Sequence, residues 1–129
     1  MIVDASALLA ILLNEPDGPA YRSAISDAGT ASISPVNCLE VSMRLDRIWG
    51  DSAADKLDAL IDAFAMSVEP IDRAQLTFAQ SAFRRFGKGR HKAALNMGDC
   101  FAYALARAKG QAILYKGNDF GHTDLESVL

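Results

Sequence analysis

Apolar and polar positions along this chain change period repeatedly. Met1-Ile2-Val3 opens as a short apolar strand closed by Asp4. Ala5 to Asn14 is rich in alanine and leucine and predicts a helix. Glu15-Pro16-Asp17-Gly18-Pro19 breaks it, and a second helix is expected over Tyr21 to Asp27, ended by Ala28-Gly29. Thr30 to Ile33 is β-prone. Ser34-Pro35 pairs an N-cap residue with proline at the first helical position, predicting a helix to Trp49 that stops at Gly50. A further helix is expected over Ser52 to Met66, then a strand over Ser67 to Ile71. Asp72 caps a helix that reaches about Phe86. Gly87 to Ala94 reads as an irregular basic loop, and Asn96 to Lys109 as a helix stopped by Gly110. Gln111 to Tyr115 is a compact strand, Lys116 to Asp119 a turn, and Leu125 to Val128 a short terminal strand.

Strands alternating with helices imply an α/β fold with a small parallel sheet. The 129 residues are the size of one domain, and no repeat or linker divides them.

That architecture gives the acids their meaning, because open parallel sheets bind ligands beyond the carboxyl ends of their strands. Asp4 follows the first strand and Asp119 follows the Gln111 to Tyr115 strand, so the two can share one crevice. Read alone, Asp4 is equally a helix N-cap and Asp119 equally a turn former. Glu40 projects beside Val36 and Met43, so a carboxylate is aimed at an apolar stripe. Its ordinary alternative is an i,i+4 ion pair with Arg44. Asp99 stands third in the helix capped by Asn96, where it can close a capping box or project into the same crevice, with Gly98 leaving room beside it. Val41, Leu45 and Ile48 form a second stripe opposite Glu40, read as added core or as an interaction groove. Clustered carboxylates repel one another, and a hard divalent cation resolves the conflict. Such an ion binds phosphate oxygens and activates water, which is phosphodiester chemistry.

Composition changes this picture little. Half the residues are hydrophobic and 22% are charged, which suits a globular core. The apolar run after Asp4 is too short to cross a bilayer and lacks a basic leader, so a soluble, cytoplasmic protein is expected. Cys38 and Cys100 read as buried apolar residues, since no zinc-type spacing exists. The net charge of −3 does not itself suggest a nucleic-acid binder. Yet Arg84, Arg85, Lys88, Arg90 and Lys92 fall within nine residues, as a candidate phosphate-binding face or an ordinary solvated one. Phe86 is the one aromatic there considered for stacking, and His91 reads as a loop residue.

Four segments carry a resemblance in order and spacing: IVDASALLAILLNEP, ISPVNCLEVSMRL, RFGKGRHKAALNMGDCFAYALA and ILYKGNDFGHTDL. Together they resemble VapC-type PIN-domain toxins over nearly the whole chain. The resemblance implies a small doubly wound parallel sheet flanked by helices in a three-layer α/β/α sandwich, Mg²⁺- or Mn²⁺-dependent endoribonuclease activity, a VapB-like antitoxin partner and homodimerisation. It implies that Asp4 and Asp99 bind metal directly, and that Glu40 and Asp119 bind through water or hold a second ion. Ser6 matches the family's hydroxyl two residues after the first acid, with a metal water or a phosphate as its partner. Tyr115 stands where phenylalanine is usual and Asn118 where aspartate is frequent. Asp124 competes with Asp119 as the fourth acid.

Other classes fit less well. A phosphoacceptor receiver domain wants an acidic pair after the first strand, and only Asp4 stands there, although Lys116 does follow a strand. A haloacid-dehalogenase-like phosphatase wants Asp-x-Asp, and Ala5-Ser6 follow Asp4. A non-catalytic PIN-like RNA-binding module would have lost an acid, and none is lost.

Overall fold

A computed structural model describes residues Met1–Leu129. Its order is β1 (Ile2–Val3), α1 (Ala5–Leu12), α2 (Gly18–Ala28), β2 (Ser32–Ile33), α3 (Pro35–Trp49), α4 (Ala53–Ala63), β3 (Ser67–Val68), α5 (Arg73–Phe86), α6 (Met97–Lys109) and β4 (Ile113–Leu114). All strand pairs are parallel and the spatial order is β3-β2-β1-β4. The chain winds outward from β1 on one side through β2 and β3, then returns to place β4 on the other. The strand order therefore reverses between β1 and β4, which is where such a sheet opens a crevice.

Side-chain alternation along the strands divides the core. Val3, Ile33 and Leu114 face a layer built from α1 to α4, in which Leu8, Ile25, Val41, Leu45 and Leu57 are buried. Ile2 and Ile113 face the opposite layer of α5 and α6, with Ala82, Phe86, Ala102, Tyr103 and Leu105. Strands β1, β2 and β4 are thus buried, as parallel sheets favour, while the edge strand β3 is exposed.

Helix starts follow the caps read from sequence. Ser34 accepts from Val36 N, Asp72 from Gln75 N, and Asn96 closes a reciprocal capping box with Asp99. Several boundaries differ from expectation. The second helix begins at Gly18, because Pro19 enters the first turn rather than breaking the chain, and Gly18 packs where a Cβ would lie 2.7 Å from Ala10 O. The first helix ends at Leu12, with Asn14 at φ 53°, and α4 ends at Ala63, before Ala65 at φ 49°. The third strand stops at Val68: Glu69 N still reaches Ile33 O, but β2 gives way to α3 at Pro35 and offers the ladder no further partner. The terminal strand reduces to one bridge, Ser127 against Ile113. The stripe opposite Glu40 is core only through Leu45, since Ile48 is 48% exposed. Cys100 is buried but Cys38 only half-buried, and both are free thiols. No helix is long and apolar enough to cross a membrane.

Candidate active site

Asp4 and Asp119 flank the reversal point, one immediately after β1 and the other beyond β4. Asp4 is both a cap and a crevice residue. Its Oδ2 accepts from Ser6 N at 3.0 Å and from Ser6 Oγ at 2.6 Å, while the side chain is only 5% exposed. The Ser6 hydroxyl also accepts from Lys116 N at 2.9 Å. With its proton given to Asp4 and a lone pair taken by the end of β4, Ser6 ties the two strand ends together.

Asp99 likewise satisfies its structural alternative in full. Its Oδ2 accepts from Asn96 N at 3.0 Å, and its own N–H donates to Asn96 Oδ1 at 2.9 Å. It is nevertheless 8% exposed, and its carboxyl is pushed up to about 7. Burial is the main cause, opposed by the Asn96 bond and reinforced by the charges of Asp4, Asp119 and Glu40. Burial also raises Asp4, against its bonds to Ser6 and Ala5, and the Asp119 charge adds to the rise. Burial raises Glu40 against a bond from Asn37, with Asp4 adding to the rise. Asp99 thus feels the charges of the other three, which puts the four carboxylates in one neighbourhood.

Glu40 does not sit in the buried apolar stripe expected for it. Met43 is 54% exposed and Val36 is only half-buried, and no ion pair forms with Arg44. The carboxylate instead accepts from Asn37 Nδ2 at 2.7 Å and lies against Gly98 of α6. The room at Gly98 thus serves Glu40 rather than Asp99. Asp119 is exposed and its side chain makes no cap to the turn that follows.

Asp124 occupies a different setting. It accepts from the Tyr103 hydroxyl at 2.7 Å and pairs with Arg85 at 3.2 Å, with Arg107 at 3.9 Å. Burial alone would raise its carboxyl, but the Tyr103 and Arg85 bonds hold it below the ordinary value. Arg85 is thereby engaged with Asp124. Arg90 stacks over Phe83, Arg84 and Phe83 line a groove between α5 and α6, and Lys88 and Lys92 are exposed. Phe86, the aromatic considered for stacking, is buried; Phe83 is the exposed one. His91 is a loop residue, its Nδ1 accepting from Ala93 N. The Lys116 ammonium pairs with Glu15 and Asp17, so it does not play the receiver-type partner to Asp4.

No salt bridge reaches Asp4, Glu40, Asp99 or Asp119. No three acidic, histidine or cysteine side chains converge into a ready-made metal cage either. The crevice is an all-oxygen, cation-poor site whose carboxylates are coupled through space.

The PIN domain family model matches residues 1–126. The chain belongs to the PIN-domain family. It is 42% identical to Ribonuclease VapC28 of Mycobacterium tuberculosis over 130 residues, covering 100% of this chain and 98% of the relative. It is 39% identical to Ribonuclease VapC of Mycolicibacterium smegmatis over 128 residues, 99% of both chains. Among solved structures, VapC20 of Mycobacterium tuberculosis, a sarcin–ricin loop cleaving toxin, superposes with a TM-score of 0.77 at 20% identity, covering 96% of this chain and 95% of that one. VapBC2 from Rickettsia felis, bound to a DNA fragment from their promoter, gives 0.75 at 13% identity, covering 98% and 95%. At such identities these two structures speak for the fold.

In this PIN domain, sequence reasoning overlooked Asn37. It is fully buried, one turn before Glu40 on the same helix, and that i,i+3 spacing was the available signal.

Proposed function

We propose that this PIN-domain protein is a Mg²⁺- or Mn²⁺-dependent endoribonuclease of the VapC kind, a toxin restrained by a VapB-like antitoxin. The observation that carries the reading is the crevice at the β1/β4 reversal, where four mutually repelling carboxylates face no protein cation. The full-length relatives named as VapC ribonucleases support the reaction class, and a VapBC complex among the fold neighbours supports the antitoxin. The family match over residues 1–126 supports reading the chain as one PIN-like unit.

The donors fit a hard divalent ion, since all are oxygens and their charge is otherwise unbalanced. Asp4 and Asp99 hold it directly; Glu40 and Asp119 bind through water or hold a second ion. When bound, the ion supplies Lewis acidity toward phosphate oxygen and lowers the pKa of water. The chain supplies the rest. Ser6 fixes the orientation of Asp4, the capping box fixes Asp99, and Asn37 fixes Glu40. Arg84, Lys88, Arg90 and Lys92 attract the phosphate backbone, while Arg85 anchors the C-terminal segment through Asp124. Asn96, which follows the basic loop after Leu95, caps the helix that carries Asp99. A cytoplasmic homodimer is the setting we assign to it.

The deciding experiment is cleavage of total cellular RNA by purified protein in Mg²⁺ or Mn²⁺. Wild-type chain cleaves, and chelation stops it. Asp4→Asn folds and does not cleave. Full activity in Asp4→Asn overturns the site.

A further inference from the structure

Two residues that local physics disfavours converge on the Glu40 carboxylate. The first is Asn37, fully buried on α3. Its Nδ2 donates to Glu40 Oε1 at 2.7 Å and to the Gly98 carbonyl on α6 at 3.0 Å. Both partners accept only, so the nitrogen of the amide has to face them. The other end, Oδ1, is buried with no donor. A buried unpaired carbonyl is unfavourable, and an apolar side chain of the same size would avoid it. The second is Gly98, in the first turn of α6, where glycine is a poorer helix former than alanine. A Cβ there would stand 2.1 Å from both Glu40 oxygens. Neither residue is chosen for its own element; both are accounted for by the carboxylate between them.

We infer that Asn37 and Gly98 form a seat that holds the Glu40 carboxylate against the first turn of α6, at a fixed offset from Asp99. Asn37 supplies the directed donor and bridges α3 to α6. Gly98 supplies the space. Both are positioning residues acting through Glu40, and the inference rests on the reading of the crevice as a divalent-cation site. Groups that orient metal ligands typically matter by 10- to 100-fold in affinity or activity. Without the seat, Glu40 belongs to α3 alone and its distance to Asp99 follows every small motion between the two helices.

The test uses full-length Gly98→Ala, Asn37→Leu and Glu40→Ala, and each of the first two combined with the third. Mn²⁺ affinity is measured by titration into metal-free protein, kcat and KM on RNA, and Tm without metal. Gly98→Ala is the cleaner probe, because the atoms it meets are the movable end of Glu40 and alanine favours the helix. It is expected to keep or raise Tm while Mn²⁺ affinity and kcat fall by about 10- to 100-fold with KM little changed. Asn37→Leu is expected to lose the same two properties. In the Glu40→Ala background neither substitution lowers Mn²⁺ affinity further. Wild-type affinity and kcat in Gly98→Ala overturn the seat, as does an equal further loss when Glu40 is already absent. Wild-type behaviour of Glu40→Ala removes Glu40 from the cation site and overturns the seat, whereas failure of the wild-type protein to bind Mn²⁺ contradicts the cation site itself; in the first two outcomes Glu40→Ala is impaired and only the seat fails.

Discussion

At the Asp124 corner a carboxylate meets a tyrosine hydroxyl and two arginines; at the β1/β4 crevice carboxylates meet neutral donors and feel one another's charge. The two regions use the same side-chain chemistry to opposite ends. Asp124 is held below its ordinary value and joins the C-terminal segment to α5 and α6. Asp99 is pushed up to about 7 and gains no protein cation. Lys116 with Glu15 and Asp17 is a second instance of the satisfied kind, its ammonium raised first by Glu15 and then by Asp17. Glu15, Asp17, Glu69 and Asp124 each meet a protein cation, whereas the buried acids of the crevice meet none. Unbalanced buried charge of this sort is disfavoured in the free chain and is retained where a ligand balances it.

The sharpest way to break this contrast is to exchange acids for amides in both regions. Asp99→Asn keeps an oxygen for the Asn96 N–H, so the cap survives, yet RNA cleavage is expected to fall by at least about 100-fold. Asp119→Asn is expected to lose activity by a smaller factor. Asp124→Asn is expected to cleave at the wild-type rate. Initial-rate assays on one RNA settle the order, and loss of activity in Asp124→Asn but not Asp119→Asn would reverse the assignment.

The next effect is on stability against pH. Asp99 binds its proton more tightly folded than unfolded, so the folded form is favoured while that proton is retained. This contribution is fully present below the ordinary carboxylate value of 3.8 and is lost as pH rises to about 7. Metal-free protein should therefore lose Tm across that window, by on the order of a few kcal/mol in stability. Mn²⁺ at about 100 times its Kd should restore roughly 2.7 kcal/mol at pH 8, and much less at pH 5, where protons compete. Asp99→Asn should flatten the pH dependence. A Tm that rises from pH 5 to 8 without metal contradicts the account.

Smaller effects separate the basic residues. Lys88→Ala and Lys92→Ala should each reduce the slope of log KM against log salt by about 0.7, the value for a single-stranded phosphate contact. Arg85→Ala should leave that slope alone and lower stability by about 1 kcal/mol or less, because it ties down Asp124. Equal slopes in all three variants would mean that the loop does not touch the backbone of RNA.

The legible parts of the molecule were those governed by local chemistry. Ser34-Pro35, Asp72 and Asn96 each start a helix because a short polar side chain caps the next N–H groups, and Gly110 stops α6 at φ 61°. Strand ends were harder, because they depend on which neighbour continues the ladder, as where β2 gives way to α3 beside β3. Asp4 and Asp99 are legible twice over, since each caps a helix and faces the crevice; sequence reading posed these as rivals, and the geometry makes them compatible. Asn37 was not legible in the same way. Its role depends on Gly98, 61 residues later, and helical spacing within α3 shows only half of that contact. Phe83 and Phe86 were likewise exchanged, because which face of α5 meets α6 is settled by packing rather than by the α5 sequence alone.

The most direct test of the cation-site claim is calorimetric titration of Mn²⁺ into metal-free protein at pH 7, in buffers of different ionisation enthalpy. The account predicts saturable binding accompanied by proton release, since Asp99 is about half protonated there, and no comparable binding by Asp99→Asn. Equal binding by wild type and Asp99→Asn would contradict it.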